Sequence, residues 1–341
     1  MASNDTMRAM QVPAAGEPFD AVELPVPEPG ADEVRVAVEA CGICHSDVYA
    51  REGTPVYDVA YPRVPGHEIA GRIDAVGEDV ELWSEGDRVG VGWHGGHCFT
   101  CEPCRRGDFQ GCTNGEITGL TLDGGYAEYA TIPAEAVGRV PDELSAVDAA
   151  PLLCAGITTF NALRNADAGP GDLVAVQGIG GLGHLGVQYA HAMGFETVAL
   201  SRSPDKEELA NDLGADHFVD TSETDAGEAL QSLGGASLVL TTAPAAEPIA
   251  EAVGGLGRNG SVVAVGVPEE PVPINVGSLV GTRGSVAGWS SGHAKDWEDT
   301  LEFSALRDVT PTVETHPLEE AETAYQRMLA NEARFRVVLE L

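Results

Sequence analysis

The stretch Leu173-Val174-Ala175-Val176-Gln177-Gly178-Ile179-Gly180-Gly181-Leu182-Gly183 narrows the fold of this chain more than any other. Five residues with the pattern of a buried strand run directly into closely spaced glycines, and an apolar helical pattern continues through Met193. A further strand candidate, Thr197-Val198-Ala199-Leu200, follows at the distance a βαβ unit requires. Glycines alone would fit a turn in many α/β folds; the strand before and the helix after favour a dinucleotide crevice. Gly178 then permits the tight turn, Gly180 lets a pyrophosphate reach the backbone, and Gly183 lets helix and strand pack closely. Gly181 and Leu182 complete the turn that faces the phosphates.

Strand candidates at Ser237 to Leu240, Ser261 to Gly266 and Gly284 to Gly288, with helices between them, extend this unit into a doubly wound parallel sheet. The end of its second strand bears on the cofactor. An acidic residue there would bind a ribose 2′-hydroxyl, whereas this chain reads Ser201-Arg202-Ser203-Pro204-Asp205-Lys206. Arg202 and Lys206 place cations beside a helix start, where the macrodipole opposes them, and a 2′-phosphate would relieve that conflict. NADP is therefore the expected cofactor, with NAD as the alternative. The rival account makes both residues surface charges, with Lys206 paired to Asp205 or a nearby glutamate.

The N-terminal half has a different texture. Val34 to Val38 alternates with period two, Gly71 to Val76, Asp87 to Val91 and Gly124 to Ile132 are further strand candidates, and glycine and proline turns separate them. From Val147 to Ala168 the period becomes helical, with Asp148 and Thr158 as candidate caps. Two clusters here suggest metal. Cys98, Cys101, Cys104 and Cys112 offer four thiolates around turns, enough to close a tetrahedral structural zinc site, with an iron–sulfur cluster as the rival. Cys44-His45-Ser46-Asp47 and Gly66-His67-Glu68 bring together thiolate, imidazole and carboxylate, a set suited to a catalytic zinc with an open position. Cys154 is the candidate third ligand, and Cys41 is left as a small buried residue.

The chain has 341 residues, enough for two domains. Its 54 acidic against 19 basic residues leave a net charge of -35, and Lys206 and Lys295 are the only lysines. Such a surface excludes nucleic acid and anionic membranes as partners, because phosphate contacts need Lys and Arg. Self-repulsion on this scale calls for screening, so a halophilic, high-salt cytoplasm is expected. The seven cysteines are odd in number, and Met1 to Arg8 has no apolar signal core, which argues against a disulfide framework. The apolar runs singled out, Leu173 to Val176 and Val262 to Val267, are too short to span a membrane.

Taken together, Cys41-Gly-Ile-Cys-His-Ser-Asp47, Gly66-His67-Glu68, the four-cysteine lobe, Gly124-Gly125-Tyr126-Ala127-Glu128-Tyr129, Cys154 and the glycine fingerprint resemble the zinc-dependent medium-chain alcohol dehydrogenase family over nearly the whole chain. The resemblance implies an α/β chain with a GroES-like, mostly β catalytic domain (1–157 and 294–341, structural zinc lobe 95–113) and an inserted Rossmann domain (158–293). It implies Cys44, His67 and Cys154 as catalytic zinc ligands, Glu68 as an alternate ligand, Asp47 as the group orienting His67, and Ser46 as first proton acceptor. It places His45 and Arg336 near cofactor phosphates, adds Thr158 to the cofactor contacts, and leaves Tyr49 where a relay histidine is usual. Two zinc ions per chain, reversible hydride exchange between a primary or secondary alcohol and an aldehyde or ketone, and a homodimer or homotetramer follow from it. A polyol or sugar dehydrogenase, or a nucleotide-binding sensor without turnover, are the alternatives. Trp93 and Trp289 are candidates either for a substrate pocket or for core packing.

Overall fold

The computed structural model describes residues 6–341, so most of the N-terminal signal-peptide argument, which used Met1 to Arg8, lies outside the described residues. The chain divides into two compact units, one comprising residues up to Ile157 together with Gly292–Leu341, the other Thr158–Ser291. The second boundary thus falls between Ser291 and Gly292, two residues before the 293/294 expected from the sequence.

The first unit is built on a seven-stranded sheet. Its path runs Val313–Pro317, Arg336–Glu340, Glu33–Ile43, Ile69–Val76, Arg88–Val91 and Gly138–Arg139, with Tyr129–Pro133 also paired to Glu33–Ile43. Val34, Val36 and Val38 alternate into the core, after which Ala40, Cys41, Gly42 and Ile43 are all buried. The change from alternation to continuous burial has a cause in the register. Val337 opposes Ile43 and Leu339 opposes Cys41 on one side, while Ile69 opposes Cys41 on the other. The C-terminal strand is thus part of this unit, and the central strand ends, fully enclosed, at Cys44.

The second unit is a six-stranded parallel sheet ordered His217–Asp220, Glu196–Ser201, Leu173–Gln177, Ala236–Thr241, Leu256–Ala264 and Ser285–Gly288. This is the doubly wound 3-2-1-4-5-6 order, which opens a crevice at the carboxyl ends of its first and fourth strands. His217–Asp220 escaped the sequence reading because only Phe218 and Val219 in it are apolar, and all four residues are half-buried. Leu173, Val198, Leu200, Val239, Ile249 and Val262 belong to one core cluster of this unit.

Two expectations need correction. The helix Ala146–Pro151 is capped by Ser145, whose Oγ accepts from the Asp148 N–H, so Asp148 lies inside the first turn. Thr158 sits inside the helix Ile157–Arg164 and caps nothing. Moreover Ala146–Arg164 is helical over 19 residues and, by length and composition alone, long and apolar enough to cross a membrane; 72% of its apolar window is buried in the protein. The middle of this run, Leu152–Gly156, is a π-helix in which the Ile157 N–H donates to the carbonyl of Leu152, five residues back. Pro151, lacking an N–H and crowding the carbonyl four residues earlier, accounts for the loosened register.

Candidate metal centres and nucleotide loop

The end of the central strand and the segment before Ile69–Val76 converge on one cluster. Cys44 leaves the strand and starts a short 3-10 turn, His45–Asp47, whose last residue folds back so that Asp47 Oδ2 accepts the Cys44 N–H at 2.9 Å. Asp47 is 2% exposed, and Oδ2 also accepts the Tyr126 hydroxyl at 2.8 Å while Oδ1 lies 3.1 Å from His67 Nδ1. With Oδ2 occupied by two donors, Oδ1 is left to fix the imidazole with its proton on Nδ1 and its lone pair on Nε2. Gly66, at φ +99°, makes the turn that delivers His67, and a side chain there would collide with the Tyr126 ring.

Cys154 arrives on the π-turn, its Sγ 3.8 Å from Cys44 Sγ. One ligand atom from each of Cys44, His67, Glu68 and Cys154 lies within 4.8 Å of the others. Among the described residues, His67 Nε2 and Glu68 Oε2 are buried without a hydrogen-bond partner. A buried imidazole lone pair without a donor is costly unless a cation takes it up, and two sulfurs stand beside it to complete the set. The donor set, soft sulfur with imidazole nitrogen, fits zinc.

The groups of the cluster also shift one another's proton affinities. The bond from the Cys154 thiol, with further help from His67 and Arg336 against burial, holds the Cys44 thiol well below its ordinary range. Cys154, donating to Cys44 and buried, is pushed up. Burial opposes protonation of His67, but Asp47 and Cys44 outweigh it and raise the ring well above its ordinary value. Burial lifts the Glu68 carboxyl to about 7, with Arg336 pulling the other way. Arg336 is itself 5% exposed, ion-paired with Glu68 and donating to the Ile43 carbonyl at 3.1 Å. That partnership was not visible in the sequence, where 268 residues separate the two.

His45 is exposed and Ser46 half-buried on the turn that carries Cys44. Tyr49 stands edge-on to Tyr57 (6.3 Å between ring centroids) and Trp93 (6.4 Å), and Trp93 stands perpendicular to His67 at 4.9 Å. Trp93 thus touches the imidazole, and Tyr49 and Tyr57 extend the aromatic cluster behind it. Tyr57 and the Tyr126 bond to Asp47 were missed by sequence reasoning; the only signal was the place of Tyr126 in the Gly124-Gly125-Tyr126 motif. Trp289, 37% exposed, belongs to the second unit.

In the lobe, Cys98, Cys101, Cys104 and Cys112 bring their sulfurs within 4.8 Å of one another, with Cys112 Sγ 3.6 Å from Cys98 and 3.8 Å from Cys101. Bonds from the side chains of Thr100 and Asn114 and from backbone N–H groups bring Cys98 down to about 5, while burial pushes Cys104 up to about 12. His94, just before the lobe, is 6% exposed with neither ring nitrogen partnered; burial, with the nearby His97 and His293, lowers it to about 4.

In the second unit Gly178 adopts φ +88°, the space where Gly180 would carry a side chain is open, and a Cβ on Gly183 would strike the Gly178 carbonyl. Gly181 and Leu182 lie between these glycines, and Leu182 immediately precedes the helix Gly183–Ala192. The strand Glu196–Ser201 ends in a buried Ser201 whose Oγ accepts the Ser203 N–H. Arg202 is exposed; Lys206 reaches back so that Nζ donates to the Ile179 carbonyl at 2.7 Å, inside the glycine loop. Thr158 is 9% exposed.

Comparison with known proteins gives the same answer from a different direction. Residues 30–142 match the alcohol dehydrogenase GroES-like domain and residues 181–305 the zinc-binding dehydrogenase domain. The chain is 46% identical over 327 residues to alcohol dehydrogenase patD of Penicillium expansum, covering 96% of this chain and 95% of that one. Among solved structures it resembles the cinnamyl alcohol dehydrogenase SbCAD4 of Sorghum bicolor (30% identity, 98% and 97% of the two chains, TM-score 0.87). It also resembles the CAD of Helicobacter pylori complexed with NADP(H) (28% identity, 98% of each chain, TM-score 0.85). A GroES-like unit with a converging thiolate, imidazole and carboxylate, a Rossmann-like unit with a nucleotide loop, and relatives of this closeness lead to one conclusion: the chain belongs to the zinc-type alcohol dehydrogenases of the medium-chain dehydrogenase/reductase superfamily, enzymes that act on small alcohols and aldehydes with a nicotinamide cofactor.

Proposed function

We propose that this alcohol dehydrogenase carries two zinc ions per chain, one held by Cys44, His67 and Cys154 for catalysis and one by Cys98, Cys101, Cys104 and Cys112 for structure, and that it prefers NADP(H) to NAD(H). The observation that carries the first assignment is the buried, unpartnered His67 Nε2 facing two thiols 3.8 Å apart. Zinc there supplies Lewis acidity to the oxygen of a primary or secondary alcohol, or of the aldehyde or ketone in reverse. Asp47 keeps the His67 lone pair directed at the site, and Glu68, held by Arg336, is the reserve ligand. Ser46, on the turn beside Cys44, takes the alcohol proton. At the next relay position stands Tyr49, packed against aromatic rings and carrying a hydroxyl in place of an imidazole. The aromatic wall of Trp93, Tyr49 and Tyr57 beside His67 favours apolar alcohols over polyols or sugars.

NADP preference rests on a strand that ends in Ser201-Arg202 without a carboxylate and on a Lys206 ammonium at the Ile179 carbonyl. Gly178, Gly180, Gly181, Leu182, Gly183 and Thr158, all of the second unit, are the residues we assign to the rest of the nucleotide site. Arg202→Ala should raise the KM for NADPH roughly 10- to 100-fold, as for the loss of a charge-assisted bond, and leave NADH unchanged. Equal losses with both cofactors would overturn the preference. A homodimer or homotetramer is supported by the edge strand Ser285–Gly288, paired on one side and largely exposed, with Val276 and Val280 exposed on the preceding helix. The net charge of -35 supports a high-salt cytoplasm as the working environment.

A further inference from the structure

Gly42 is the penultimate residue of the central strand, opposite Val338, and its N–H donates to the Glu68 carbonyl at 2.9 Å. It is not among the glycines with positive φ, so the backbone would accept any residue. Space alone forbids one. A Cβ on Gly42 would overlap Glu68 Oε2 and lie 2.9 Å from its Cδ and 3.0 Å from its Cβ. These three atoms all belong to one side chain, in contrast to Gly71 or Gly77, where the obstacle is backbone carbonyl. The oxygen that faces Gly42 is also the one without a hydrogen-bond partner; the other oxygen takes Arg336. Glu68 thus rests with one oxygen on Arg336 and the other in a gap that exists because residue 42 has no side chain, while Cys44, His67 and Cys154 stand within 4.8 Å of its ligand atom.

We propose that Gly42 is a positioning residue for the dehydrogenase reaction: the room above its Cα parks the Glu68 carboxylate off the catalytic metal, leaving the coordination position there for substrate. The proposal rests on the zinc reading given above. In Gly42→Ala the gap is closed, and the displaced Oε2 turns toward the ligand cluster while Oε1 keeps Arg336. It then competes with substrate and holds the metal more firmly.

The test compares wild type, G42A, E68D and the double variant, loaded with zinc. Release of zinc to a chromophoric chelator is followed in the kinetic phase that a Cys154→Ser control lacks, alongside kcat and KM for an alcohol. G42A is expected to slow that phase at least fivefold and to lower kcat/KM at least tenfold. In the E68D background, where the carboxylate is one methylene shorter, G42A should change both by less than threefold. Unchanged or faster zinc release in G42A, or equal effects in both backgrounds, overturns the proposal. If G42A folds only together with E68D the proposal stands, and if it folds in neither background the glycine serves another purpose and the proposal falls. A wild type that binds one zinc per chain instead of two would refute the zinc reading itself, a result distinct from any of these.

Discussion

Replacing Asp47 with Asn changes one atom beside the cluster of Cys44, His67, Glu68 and Cys154. Asp47 Oδ2 accepts two donors, and one of them, the Cys44 N–H, cannot reverse its role. The asparagine oxygen must therefore occupy the Oδ2 position, which turns the amide NH2 toward His67 Nδ1, where Oδ1 now sits 3.1 Å away. A donor at that place drives the imidazole to the other tautomer, with hydrogen on Nε2. That nitrogen is the buried, unpartnered one within reach of Cys44 and Cys154. Loss of such a supporting bond lowers metal affinity about 10- to 100-fold, or roughly 1.4–2.7 kcal/mol. Competition between the enzyme and a calibrated chelator at pH 7.5 measures this directly. Tyr126→Phe removes the other side-chain donor to Asp47 without altering the tautomer and should lose far less affinity. D47N with zinc affinity within threefold of wild type, or Y126F with the larger loss, would refute the reasoning.

Other perturbations test other parts of the molecule. His94 binds its proton only below about 4 when folded but near 6.5 when unfolded, so the unfolded state takes up the proton first as pH falls. Roughly 3 kcal/mol of stability should be lost between those values, and His94→Gln should flatten that part of a urea-unfolding pH series; parallel series for the two proteins would contradict it. Cys112→Ser removes a sulfur 3.6 Å from Cys98 and 3.8 Å from Cys101, and should cost one zinc per chain and open residues 98–112 to proteolysis, without the tautomer-linked loss expected of D47N. With 54 acidic residues against 19 basic ones, the melting temperature should rise with KCl, and a salt-independent melt would remove the case for a high-salt protein.

The amino-acid sequence by itself determined the local chemistry: the strand, turn and helix around Gly178, the four clustered thiols, and the gathering of thiol, imidazole and carboxylate in Cys44-His45-Ser46-Asp47. Each depends on neighbours a few residues apart, where spacing and residue type dictate geometry. His217–Asp220 was illegible because an outer strand of a parallel sheet needs little apolar content of its own. The buried helix Ala146–Arg164 hid its π-turn because the loosened register that brings Cys154 to Cys44 emerges only when Pro151 is packed inside a continuous helix. Tertiary structure alone decided that Arg336 holds Glu68 and that Tyr126 braces Asp47. Those contacts join residues 268 and 79 positions apart, and burial at the end of one central strand is what makes each charge need its partner.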